Sequence, residues 1–205
     1  YNVITNSLKA IPSMRTASNG DLYLIRNACS VNTVCLNGKS DCNFRTEKQT
    51  CPPGSEVPQL WMMPKNCGSA SSCASAWRLV AEFGSSGKSN MQGNSGDCGI
   101  FPNKCGANRQ ITLLEVVGSY MYIGFDNPNY GANIWRINMN SIPSGSTPAE
   151  GNFELVNDFG LNGKGSNKKL FSYISYSDPF DDWILVATGN GIDPVEIYRT
   201  SNNGD

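Results

Sequence analysis

Hydrophobic and polar residues alternate along this chain in short runs, each closed by Gly, Asn, Pro or Ser. LYLIRN (22–27), QITLLEVV (110–117), MYIGF (121–125), NIWRI (133–137), KLFSYISY (169–176), ILVAT (184–188) and EIYRT (196–200) are all of this kind. Runs of five to eight residues rich in Val, Ile, Tyr and Trp, with turn formers between them, predict β-strands. No segment carries a sustained helical period, so the pattern predicts an all-β chain.

The runs recur in a fixed order. Leu60-Trp61-Met62 returns as Ile134-Trp135-Arg136 and as Ile197-Tyr198-Arg199, and WRLVAEFG (77–84) returns as FELVNDFG (153–160). LYLIRN is matched by MYIGFDN (121–127) and ILVATGN (184–190). Asn127 to Trp135 and Asn190 to Tyr198 are both 8 residues apart, whereas Asn27 to Trp61 is 34, so the first copy holds an insertion between two strands. Units of four antiparallel strands are the plan of a β-propeller blade. The expected architecture is one propeller-like domain over residues 1–205 with about three blades. The first spans about 9–84 with the insertion at 28–58, the second about 110–160 and the third about 169–205. Trp61, Trp77 and Trp135 fall on repeated positions and are expected to pack between blades. The third copy stops after its third strand, while Tyr1, Asn2, Val3 and Ile4 resemble a fourth. Known propellers have about four to eight blades, so completion is expected from residues 1–5, from more of the polypeptide or from another copy. A start at Tyr1 fits a mature product or a portion of a longer protein.

Composition narrows the setting. The chain has 205 residues, 39% of them hydrophobic, which is enough for a core, and 21 Gly and 11 Pro that imply many turns. A net charge of −1 with no block of like charge argues against nucleic acid or an anionic membrane as partner, and no apolar run reaches the roughly 18 residues of a membrane span. All eight cysteines, Cys29, Cys35, Cys42, Cys51, Cys67, Cys73, Cys98 and Cys105, precede residue 106. Successive pairs enclose five, eight, five and six residues and the chain has no His, which favours disulfides over zinc. The chain is therefore expected to be secreted or surface-exposed, with crosslinks stapling the first-blade insertion. Neighbour pairing is the simplest scheme among about 105.

The ending Ser201-Asn202-Asn203-Gly204-Asp205 resembles the turn of the Asp-box propeller repeats, with Asn203 where that family has Asp and Gly204 one place early. The resemblance implies a propeller and makes sialidase-like chemistry, built on arginines, a Tyr-Glu pair and an acid Asp, the enzyme comparison. Arg136 and Arg199 are the arginines to weigh, but they occupy equivalent places in the repeat, which points to a scaffold role for both.

The absence of His excludes Ser-His-Asp and Cys-His catalysis. Two loops hold the candidate ligand-binding groups: Asp126, Asn129 and Tyr130, and Asp181, Asp182 and Trp183. An aromatic ring there could stack on a sugar while the carboxylates and amides bind hydroxyls, although Asp, Asn and Pro also serve turn formation and Trp183 alternates in phase with Leu185 as a core residue would. Neither loop has calcium-loop spacing, and no metal or cofactor is expected. The function expected is a non-catalytic extracellular binding or assembly module, with further copies of itself or the rest of the polypeptide as partner and a surface fibre as one outcome. The alternatives are a lectin that binds glycans, and a fragment of a propeller glycoside hydrolase whose catalytic residues lie elsewhere.

Overall fold

The computed structural model describes residues 13–29, 56–68, 73, 76–82, 97–98, 101–102, 110–127, 131–157, 161, 169–177, 182–189 and 195–200. Four strands form the first sheet: β1 (Ser13–Thr16), β2 (Leu22–Cys29), β3 (Glu56–Met63) and β4 (Arg78–Glu82), in spatial order β1-β2-β3-β4. The second sheet repeats this meander with β7 (Gln110–Val117), β8 (Tyr120–Asp126), β9 (Asn133–Asn138) and β10 (Phe153–Leu155). Three strands make the third: β11 (Lys169–Ser177), β12 (Asp182–Gly189) and β13 (Glu196–Thr200). Between the first two sheets along the chain comes a small hairpin, β5 (Asp97–Cys98) with β6 (Phe101–Pro102). Every pairing is antiparallel. Repeated four-stranded sheets of this kind are consistent with a propeller-like arrangement.

Register shows how faithful the repetition is. Trp61 lies opposite Leu24, Trp135 opposite Ile123 and Tyr198 opposite Val186, always on the third strand of the meander. The aromatics are thus equivalent, but Asn27 and Asn127 are not. Leu24 precedes Asn27 by one residue fewer than Ile123 precedes Asn127, because β2 continues past Asn27 to Cys29 whereas β8 ends at Asp126. Strands also reach into the expected insertion, since β2 runs to Cys29 and β3 begins at Glu56. β7 and β11 each shift register at one place, opposite Gly124 and Ala187, which are themselves equivalent. An extra residue there bends the strand and raises its local twist.

The sheets stack face to face with the second in the middle. Tyr23, Ile25, Leu60 and Met62 of the first meet Ile111, Ile123, Phe125 and Trp135 of the second in the largest core. Leu113, Tyr122 and Ile134 of the second meet Ile184 and Val186 of the third. Trp61 and Trp77, expected between blades, instead cluster with Leu24 on the first sheet's other face. Alternation along β3 explains it, since Leu60 and Met62 already occupy the face towards the second sheet.

Polar contacts tie the first sheet to the second. The β1–β2 turn closes with Ala17 N donating to Asp21 O at 2.9 Å and Asp21 N donating to Asn19 Oδ1 at 3.1 Å. Gly20, at φ +88°, takes a conformation L side chains avoid, and a Cβ there would stand 2.6 Å from Lys65 Cδ. This turn aims the fully buried Asp21 carboxylate at both sheets. It accepts from Lys65 N at 3.0 Å, Ser144 Oγ at 2.9 Å and Gly145 N at 2.7 Å. Arg15 of β1 also donates through Nε and Nη2 to the two Glu115 oxygens of β7, each at 2.9 Å. Beside the turn, the buried Tyr23 hydroxyl lies near Asn19 and Asp21 without a hydrogen bond of good geometry. Burial first, then the negative charge of Asp21, holds its proton well above the usual phenol range, with Asn19 acting the other way.

Candidate functional site: the trailing face of the third sheet

Each third strand carries a triplet of a polar residue, an aliphatic one and an aromatic: Gln59-Leu60-Trp61, Asn133-Ile134-Trp135 and Glu196-Ile197-Tyr198. The outer members share a face because side chains alternate, and there they bond to each other. Trp61 Nε1 donates to Gln59 Oε1 at 2.9 Å, Trp135 Nε1 to Asn133 Oδ1 at 3.2 Å and Tyr198 OH to Glu196 Oε2 at 2.5 Å. This leading face looks towards the preceding sheet: Trp135 packs with the first sheet and Tyr198 against the core shared with the second. The middle residue points the opposite way, to the trailing face. Leu60 is 0% exposed beneath the second sheet and Ile134 6% beneath the third, but Ile197 is 71% exposed.

The rest of that face follows from the same alternation. Trp183, Leu185 and Ala187 of β12 are half-buried, Arg199 is exposed, and Val195, just before β13, is exposed as well. Arg199 lies over the Trp183 ring, 5.5 Å from its centroid. Its counterpart Arg136 lies over the Tyr120 ring at 4.8 Å, and Tyr120 is the repeat equivalent of Trp183. Arg136 also grips Glu154 of β10 through two hydrogen bonds, 2.8 and 2.9 Å long. That hydrogen bonding chiefly holds the Arg136 proton more tightly than usual and the Glu154 carboxyl below its ordinary range. The same cation-over-ring contact thus recurs at equivalent places in the second and third sheets.

Of the candidate ligand-binding residues, Asp126 is half-buried at the end of β8 and Trp183 half-buried near the start of β12. Asp126 and Trp183 thus lie at opposite ends of equivalent strands. Asp182 opens β12, while Asn129, Tyr130 and Asp181 lie outside the described residues, as do Tyr1, Asn2, Val3, Ile4 and the Asp-box-like turn. Cys67 and Cys73 form a disulfide with Cα atoms 4.9 Å apart, one of the expected neighbour pairs. Cys29 ends β2 and Cys98 lies in β5, whereas Cys35, Cys42, Cys51 and Cys105 are outside the described residues. Among the described residues, no group of three His, Cys, Asp or Glu could hold a metal, and no helix is long and apolar enough to cross a membrane. No protein-family model, curated protein or solved structure matches the chain.

Proposed function

We propose that the chain is an extracellular, non-catalytic binding and assembly module, its sheets arranged as consecutive propeller blades and its contact surface the trailing face of the third. One observation carries this: the position that is buried by the next sheet at Leu60 and Ile134 is exposed at Ile197. A sheet face whose two counterparts each receive another sheet is shaped for a β partner, and leaving it in water forgoes the burial they obtain. The non-catalytic reading is supported by Arg136 and Arg199, since both guanidiniums are held over equivalent rings of the frame. The extracellular reading is supported by the Cys67–Cys73 disulfide in a chain of eight cysteines.

The test is dye binding by the oxidised chain. Wild type should enhance the fluorescence of a hydrophobic dye such as anilinonaphthalene sulfonate at low protein concentration, and Ile197→Lys should lose at least half of that signal with its near-UV circular dichroism unchanged. Equal dye binding by the two proteins would refute the assignment of this face.

A further inference from the structure

The β1–β2 turn carries the pair Asn19-Gly20, and the fold both requires its glycine and holds its asparagine. In a chain free to move, Asn followed by Gly is the readiest pair for deamidation, because no Cβ shields the Asn carboxamide carbon from the next backbone nitrogen. Position 20 cannot carry that Cβ here, since φ is +88° and the added atom would meet Lys65 Cδ at 2.6 Å. A reactive pair is therefore built into the turn. We propose that Asn19 is a modification site, converted to isoaspartate or aspartate with loss of ammonia, and that the closed junction of the first and second sheets guards it.

The reaction needs only water. The Gly20 nitrogen gives up its proton and bonds to Asn19 Cγ, and the Cγ–Nδ2 bond breaks to release ammonia and leave a five-membered succinimide. Water then opens the ring at one of its two carbonyls, giving isoaspartate or aspartate. In the closed state the groups that must move are all engaged. Gly20 N donates to Ala17 O at 2.8 Å, Asn19 Oδ1 accepts from Asp21 N at 3.1 Å, and Asn19 Nδ2 donates to Ile142 O at 3.3 Å. The last of these holds the leaving nitrogen from the connection between β9 and β10. That connection is itself gripped by the first sheet: Asp21 accepts from Ser144 Oγ and Gly145 N, Arg78 Nη1 donates to Gly145 O at 2.6 Å, and Ser18 Oγ donates to Asn140 Oδ1 at 3.1 Å. The carboxamide can turn towards Gly20 N only in a local opening that parts these contacts. Reclosing does not undo the change. The product has no Nδ2 to give Ile142 O, it sets a second carboxylate beside the buried Asp21, and in isoaspartate the main chain of the turn is longer by one carbon. An opening that lasts long enough thus marks the chain permanently.

Incubating the full, oxidised chain in mildly alkaline buffer, native and in denaturant, tests this, with peptide mapping that separates isoaspartate, aspartate and asparagine at position 19. Asn37, Asn162, Asn190 and Asn203, each also followed by Gly, time the chemistry in the denatured chain. Asn19 of wild type should convert at least tenfold more slowly native than denatured. Asp21→Ala should lose most of that protection, each rate being taken relative to the same variant in denaturant. Arg78→Gln lies far from the pair in sequence and removes a grip on Gly145 without touching the turn, so it should raise the native rate severalfold and keeps the test open if Asp21→Ala does not fold. Equal native and denatured rates in wild type, no conversion at Asn19 in the denatured chain, or unchanged protection in the folded variants would each overturn the proposal.

Discussion

Truncating Asp21 to alanine should cost about 3–4 kcal/mol, because the carboxylate is fully buried and its removal deserts two backbone donors, one in the turn after β3 and one in the connection from β9 to β10. Each buried N–H left without an acceptor costs about 1–3 kcal/mol. The third donor, Ser144 Oγ, sits on an exposed residue and can turn to water, and Lys65 is exposed as well, so solvent entry holds the sum below its upper limit. For a chain of this length a kcal/mol moves the thermal midpoint by about 2–4 °C, which places the shift at roughly 6–16 °C. Asp21→Asn should fall between, at about 1–2 kcal/mol, since one oxygen still accepts but an NH2 now faces a donor. Thermal and denaturant unfolding followed by circular dichroism give the totals, and amide exchange at Gly145 reports the latch itself, with faster exchange expected in the alanine variant. A loss below about 1 kcal/mol for Asp21→Ala, or equal losses for Ala and Asn, would show that the carboxylate is not what joins the two sheets.

Tyr23 makes the chain sensitive to alkali. An unfolded phenol ionises near pH 10 while the folded one holds its proton higher, so stability should be intact below about pH 10 and fall as pH rises from there. Tyr23→Phe should remove that contribution and stay within about 1 kcal/mol of wild type at pH 7, measured by denaturant unfolding at the two pH values. Trp135→Phe should cost about 2–3 kcal/mol by chemical denaturation, through lost ring volume and the loss of the Asn133 hydrogen bond, whereas Tyr198→Phe, in the less covered third sheet, should cost under about 1. Replacing Cys67 and Cys73 together by Ser should cost about 2 kcal/mol, because their separation of 6 residues closes a short loop, and peptide mapping without reductant should recover this bridge from wild type.

The strands were legible where alternation was strong. QITLLEVV and EIYRT coincide with β7 and β13, and Trp61, Trp135 and Tyr198 sit on the third strand of their meanders as the repeat implied. The small hairpin of β5 and β6 left no trace, since two-residue strands are too short to show a period. Gln59, Asn133 and Glu196 were readable yet missed. A polar residue two places before each aromatic breaks the expected apolar run on a core face, and it recurs in all three copies. Asp21 could not have been found this way, because its partners Lys65, Ser144 and Gly145 lie 44, 123 and 124 residues along the chain. Nor does periodicity say which strand face ends up covered: Leu60, Ile134 and Ile197 look alike as sequence, yet the first two are buried and the third is exposed.

The bond from each third-strand aromatic to the residue two places before it also bears on how such a chain could change length. Its donor and acceptor belong to one strand, so a sheet brings its own acceptor for the polar group of that aromatic. Duplication or loss of a whole unit would then leave that donor paired within its own strand. Asp21 is the opposite case, a bond written between units, and it marks the junction of the first and second sheets as one that could not be cut and rejoined without loss.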